Sequence, residues 1–300
     1  MPAWLRMGWT WEPSVLAGVA LAAALYAWLG RVGAAAGRAD GGSAGKRPGH
    51  PAWVALGLAV ILVALESPID RIGEDLLFWV HMVQHMLLAV VAPPLLLMGL
   101  RGRLPRVPAW VTEPVLAPPR VSGRARVARF AARASWHALR FLTQPVAAVL
   151  LFNGAFTADH VPAVYQLGLE NETIHAVEHL VLMFFGVLAW WPVFSPLPEL
   201  PPLAYPAQMA YLFANGLAMT PIFAGITFGT QPLYPVYLPA ERLFGLTPLQ
   251  DQQLGGSVMK AFAGLVYFAA FFRAFVLWFN APRDEQQGVR ASGGAEDCTP

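Results

Sequence analysis

Residues 75–99 read DLLFWVHMVQHMLLAVVAPPLLLMG. After Asp75 the stretch holds no acidic, lysine or arginine side chain, and it is long enough to cross the ~30 Å hydrocarbon layer of a bilayer as a helix. It nevertheless carries His81, Gln84 and His85 in its first half, which lipid alone does not reward. Pro93 and Pro94 remove two backbone donors and predict a kink or an end to the helix near its far end.

The rest of the chain repeats the pattern. Further apolar stretches lie at 14–30, 51–66, 141–158, 174–192, 205–228 and 254–279, with Pro192 expected to stop the fifth span. Of the 300 residues, 56% are hydrophobic and 13% charged, against roughly 25% charged in soluble domains. The fold class read from this is all-α, a polytopic integral membrane bundle of seven transmembrane helices. The first stretch is retained and not a cleaved signal: only Arg6 precedes it, with Glu12 close by, whereas Arg31, Arg38, Lys46 and Arg47 follow.

Charge placement gives an orientation. Residues 100–140 hold nine arginines and one acid, Glu113, which by the positive-inside rule makes this loop cytoplasmic. The segments 66–75 and 159–173 are acidic and read as outside loops. The N-terminus is then outside and the C-terminus cytoplasmic. Arg124, Arg126, Arg129, Arg133 and Arg140, with Trp136, read as an amphipathic helix on the inner lipid surface. Residues 1–280 form one transmembrane domain, and the small polar segment 281–300 reads as a disordered cytoplasmic tail. The single cysteine, Cys298, lies in that tail, so neither a disulfide framework nor a thiolate metal site is available.

Five of the seven histidines fall at one depth under this topology. His81 and His85 lie in the outer part of the third span, His160 at the outer end of the fourth, and His175 and His179 at the outer start of the fifth. His81-Met-Val-Gln-His85 and His175-Ala-Val-Glu-His179 share a His-x-x-(Gln/Glu)-His spacing, which places both imidazoles of each pair on one helix face. A lone histidine in a membrane helix is usually a hydrogen-bonded packing residue; two such pairs plus a third-helix histidine point to a metal. His81, His85, His160, His175 and His179 are the expected ligands, with Gln84, Asp159 and Glu178 as polar neighbours. Imidazole suits copper, zinc and iron alike. Met82, Met86, Met183 and Met259 tilt the reading toward copper, because thioethers are soft ligands, whereas Glu178 points toward zinc or iron. His50 and His137 read as surface residues.

Other polar groups in the spans have simpler expectations. Lys260 either snorkels outward or pairs with Glu178 or Asp159. Asn153 and Asn215 are expected to hydrogen-bond between helices, and Asp251, Gln252 and Gln253 to cap the seventh span. There is no phosphate-binding loop, dinucleotide fingerprint or Ser-His-Asp signature, and the basic segment beside the membrane does not suggest nucleic acid as a partner.

The run His81-Met-Val-Gln-His85-Met-Leu-Leu followed by Ala92-Pro-Pro-Leu-Leu resembles the CtaG family of multispanning cytochrome c oxidase assembly factors, associated with caa-type oxidases. So do Asn153, Phe156, Asp159-His160 and Pro162, and then His175-Ala-Val-Glu-His179 leading to Gly186 and Trp190-Trp191-Pro192. The resemblance covers approximately residues 50–280. It implies a seven-helix bacterial plasma-membrane protein needed to make active terminal oxidase, with a role in copper handling and an oxidase subunit as partner. The expected function is therefore a non-enzymatic assembly factor that binds a metal, copper before zinc or iron, and delivers it. The alternative is an intramembrane metal-dependent hydrolase or oxidoreductase with Glu178 as general base. A third reading is a haem protein with histidine axial ligands.

Overall fold

The computed structural model describes residues 8–39, 49–113, 122–240 and 243–282. Among them there are only helices and connecting turns. In chain order the helices are α1 (Pro13–Ala39), α2 (Pro51–Glu66), α3 (Pro68–Asp75), α4 (Phe78–Met86), a π-helical turn (Leu87–Val91), α5 (Ala92–Leu100), α6 (Ala109–Thr112), α7 (Gly123–Leu142), α8 (Pro145–Asp159), α9 (Pro162–Glu170), α10 (Glu172–Phe194), α11 (Tyr205–Ala218), α12 (Thr220–Thr227) and α13 (Pro248–Phe279). Five helical segments are long and apolar enough to cross a membrane, and seven if two bent pairs, α2 with α3 and α7 with α8, each count as one span.

The exterior matches a lipid solvent. Leu150, Leu180, Phe213, Leu265, Phe268 and Phe272 are exposed, an apolar surface too extensive for a water-soluble monomer. The interior core runs through α4, α5, α8, α10, α11, α12 and α13, where Phe78, Met82, Phe152, Phe156, Trp190, Leu212, Phe223 and Met259 are all but fully buried. Backbone polar groups satisfied within helices are what allow such segments to sit in hydrocarbon. Between helices, Asn153 Nδ2 donates to Asn215 Oδ1 at 2.7 Å, and Asn215 Nδ2 donates to the Tyr267 hydroxyl at 2.9 Å. The two asparagines thus join α8, α11 and α13.

Pro93 and Pro94 do not end the third span. The chain widens into the π-helical turn just before them, where Ala92 N–H reaches back to the Leu87 carbonyl. The prolines then fall in the first turn of α5, where a missing N–H costs little. The Ala89 carbonyl, which would otherwise face the absent Pro93 donor, lies against Gly186 of α10, and a side-chain carbon at position 186 would collide with it. Pro192 likewise sits inside α10, which continues to Phe194.

Two segments read as loops are helical. The acidic run 66–75 becomes α3, started by Ser67, whose hydroxyl accepts from Ile69 N, and by Pro68. The 159–173 connection contains α9. Both are too short for spans and lie beside the histidine-bearing ends of the longer helices. The basic helix expected between spans three and four is α7, bent 79° from α8. Trp136 is its one buried residue, packed with Val111 and Leu197.

Two expectations for the seventh span are corrected. α13 begins at Pro248 with Thr247 and Gln250 as a capping box, so Asp251 and its neighbours do not cap their own helix. Asp251 instead accepts from Phe78 N at 2.8 Å and Trp79 N at 3.0 Å, capping α4 from across the bundle. Gln252 Oε1 accepts from Leu233 N, and Gln253 Nε2 donates to the Gly229 carbonyl. Of the two alternatives for Lys260, the pairing with Glu178 or Asp159 is not made, and its side chain is exposed. Its ammonium donates to Thr220 Oγ1 at 2.8 Å and to the Gly216 carbonyl at 3.4 Å. The physical reason is the break between α11 and α12: Pro221 lacks a donor, and helix ends leave carbonyls that attract a cation. The tail expected to be disordered lies outside the described residues from 283 onward, as does the proline-rich part of the basic loop at 114–121.

Candidate metal centre

The centre is assembled by holding three helix ends in place. Asp251 fixes the first turn of α4, and His81 and His85 follow one helical turn apart on its buried face. At the start of α10, the Asn171 side chain accepts from Thr173 N and Ile174 N, which sets the register of His175 and His179. At the end of α8, Asp159 is the last helical residue and His160 the cap. The His160 ring stacks on Phe156 with centroids 4.3 Å apart.

These elements bring the five imidazoles together. Ring centroids lie 5.2 Å apart for His81 and His175, 5.4 Å for His85 and His179, and 5.6 Å for His85 and His160. The first residue of one pair faces the first of the other, and the second faces the second, so α4 and α10 run in the same direction. All five rings are buried, with Asp159 beside them.

Within the cluster the atoms fall into two sets. His81, His175 and His179 form one, and His85, Asp159 and His160 the other; in each, one donor atom per residue lies within 4.8 Å of the others. The sets meet where His81 Nε2 and His85 Nε2 are 2.8 Å apart, within hydrogen-bond distance. Around the first set stand two carboxylates: Glu74 Oε1 at 3.0 Å from His175 Nε2, and Glu178 Oε2 at 3.6 Å from His175 Nδ1. In the second, Asp159 Oδ2 is 3.3 Å from His85 Nδ1 and 3.4 Å from His160 Nδ1.

Many of these atoms lack directed partners. His81 Nδ1, His179 Nε2 and Glu178 Oε1 are buried with no hydrogen bond or ion-pair contact among the described residues, and His85 Nδ1 and His175 Nδ1 have only carboxylate contacts of 3.3 and 3.6 Å. Buried polar groups are nearly always paired, and each exception asks for an explanation. Convergent nitrogens and a carboxylate oxygen form a donor set that suits a transition-metal cation, so the residues present fit one.

The other residues singled out from the sequence are placed differently. Met82 Sδ lies 3.2 Å from His160 Nε2. Met86 and Met259 are in the main core, and Met183 packs beside Ile61 and Leu88. Gln84 turns toward α3, where its amide donates to Asp70 Oδ1 at 2.6 Å. Three features were not read from the sequence. Glu74 reaches the centre because α3 is a helix. Gly73 lets α3 lie against the α4 backbone, since a side-chain carbon there would sit 2.9 Å from His81 N and Cα. Tyr165, Tyr234 and Tyr237 wall the centre: Tyr165 and Tyr237 hydroxyls are 2.7 Å apart, Tyr237 donates to the Gly73 carbonyl at 2.8 Å, and Tyr234 donates to the His160 carbonyl at 3.0 Å.

No curated protein and no solved structure matches this chain. The family model Caa3_CtaG, cytochrome c oxidase caa3 assembly factor, matches residues 24–281. That match takes in α2 to α13, including every helix that supplies the centre, and the chain belongs to the caa3-type cytochrome c oxidase assembly factor family.

Proposed function

We propose that this protein binds a metal ion through His81, His85, His160, His175 and His179 and delivers it to a cytochrome c oxidase subunit during assembly, with copper as the cargo. The observation that carries the reading is the convergence of five buried imidazoles, from three helices, with His81 Nδ1 and His179 Nε2 unpaired among the described residues. Uncharged imidazole is the form that both burial and metal ligation require. The thioether of Met82 beside His160 favours copper over zinc or iron, because sulfur ligands select the softer ion.

The role is binding and transfer, without turnover of a substrate. The metal-bearing end lies at the outer face of a bacterial plasma membrane. The N-terminus is on that side, and the C-terminus and the arginines of α7 face the cytoplasm and its anionic lipid. Residues 1–280 act as one transmembrane unit. Glu74, whose side chain is 34% exposed, joins the cluster to the surroundings through its 3.0 Å contact with His175.

Elemental analysis of the full chain purified in mild detergent tests the reading. The expected result is about one or two copper ions per chain, given a donor set of this size. Protein that remains free of copper after incubation with cuprous and cupric ions overturns it. Absorbance of the same sample checks the haem alternative, which requires a Soret band.

A further inference from the structure

The two halves of the cluster differ in chemistry, and the difference resides in one proton. His160 Nδ1 is 2.7 Å from the Phe156 carbonyl oxygen, which only accepts. In the neutral ring the proton therefore sits on Nδ1, and Nε2 presents a lone pair. That lone pair faces Met82 Sδ at 3.2 Å. A thioether sulfur also has no proton to give. Two lone-pair donors, both in fully buried side chains, thus face each other with nothing to bind them together. Asp159 Oδ2 and His85 Nδ1 stand alongside, buried and 3.3 Å from each other.

The other half is built differently. His81, His175 and His179 have the carboxylates of Glu74 and Glu178 as neighbours, and among the described residues none of the three makes a sulfur contact of the kind His160 makes with Met82. Its surroundings are also more open: the Glu74 side chain is 34% exposed, against 7% for Asp159. Imidazole with carboxylate is a borderline-to-hard donor set, whereas imidazole with thioether is soft.

The geometry points to two adjoining metal sites of unlike preference: an outer site of His81, His175 and His179 that takes divalent ions as well as copper, and a deeper site of His85, His160, Asp159 and Met82 that retains the cuprous ion. This rests on the metal-binding reading above and adds an order to it. The ion is taken up where carboxylates and partial exposure permit exchange, and it comes to rest where the sulfur is. The short His81–His85 contact, 2.8 Å between Nε2 atoms, joins the two sites without any intervening residue. The ion stays cuprous throughout, so no electron donor or acceptor is involved.

The test uses the full chain in detergent, titrated separately with cuprous ion held against a competing chelator and with Zn²⁺. Wild-type protein is expected to take about two cuprous ions, consistent with two donor sets. Met82→Leu, a substitution of nearly equal volume, is expected to weaken cuprous binding at one of the two sites at least tenfold and to leave Zn²⁺ binding unchanged. Asp159→Asn serves as a second variant of the deep site, with the same expected selectivity. His175→Ala is expected to do the reverse, abolishing Zn²⁺ binding while one cuprous ion remains. A single cuprous ion lost equally in all three variants overturns the two-site assignment and leaves metal binding intact. Unchanged cuprous binding in Met82→Leu overturns the role of the sulfur. Failure of the wild type to bind either ion overturns the metal-binding reading itself.

Discussion

Replacing His81 and His175 together by alanine is expected to reduce the copper content of the purified protein to about half that of the wild type, emptying the outer set while the deep set of His85, His160, Asp159 and Met82 keeps its ion. The two rings come from different helices and face each other with centroids 5.2 Å apart. Their loss therefore leaves His85 and His179 as the ring contact between α4 and α10 in the cluster, and removes a ligand from each side. His81 Nε2 also lies 2.8 Å from His85 Nε2, so the deep set loses a neighbour but none of its own ligands. Helix content by circular dichroism is expected to persist, because the main core of Phe78, Phe152, Phe156, Trp190 and Phe223 is untouched. In cells the variant is expected to leave the oxidase unassembled or short of copper. Equal metal content in variant and wild type would remove the proposal that these histidines are ligands.

Gly73→Val is expected to act on the same centre without altering any ligand. The glycine lets α3 lie directly on α4, and the first carbon of any side chain would stand 2.9 Å from His81 N and Cα and 3.1 Å from its Cβ. These are backbone and near-backbone atoms, so the strain is relieved only by moving one helix. Overpacking of this kind costs about 1–3 kcal/mol. α3 is the element that yields, since it is short and α4 is held by Asp251. Displacing it carries Glu74 away from His175, breaks the 3.0 Å contact, and withdraws the Gly73 carbonyl from the Tyr237 hydroxyl. Copper affinity is expected to fall by about tenfold or more, since 1.4 kcal/mol corresponds to a factor of ten, and thermal unfolding in detergent to shift downward. Wild-type affinity and melting would mean that α3 does not brace the centre.

What the sequence reveals and what it hides follow from the range of the interactions. Stretches such as 75–99 and 174–192 are legible because hydrocarbon demands long apolar runs, and the five histidines are legible because helical spacing and charge asymmetry place them at one depth. α3 is hidden: with Ser67, Pro68, Asp70, Arg71, Gly73, Glu74 and Asp75 its composition reads as a polar loop, and its packing on α4 is what makes it a helix. Glu74 was missed for the same reason.

Partners distant in sequence are hidden too. The carboxylate of Asp251 looks like a cap for its own helix, and only the assembled bundle shows it bound to Phe78 N and Trp79 N, more than 170 positions away. Lys260 invites a carboxylate partner, but the break at Pro221 gives it a nearer one in Thr220 and the Gly216 carbonyl. The tyrosines 165, 234 and 237 carry no spacing signal at all, because they come from two separate connections. Met82 and Met86 both directly follow a motif histidine, so the sequence does not separate them, and only the assembled bundle brings Met82 Sδ to 3.2 Å from His160 Nε2.

Copper-edge X-ray absorption on the copper-loaded, detergent-purified protein tests the central claim most directly, because it identifies the atoms around the ion. The account predicts a nearest shell dominated by nitrogen at about 2 Å, with the outer-shell scattering that imidazole rings produce. A spectrum with only oxygen or sulfur neighbours and no imidazole scattering would contradict it.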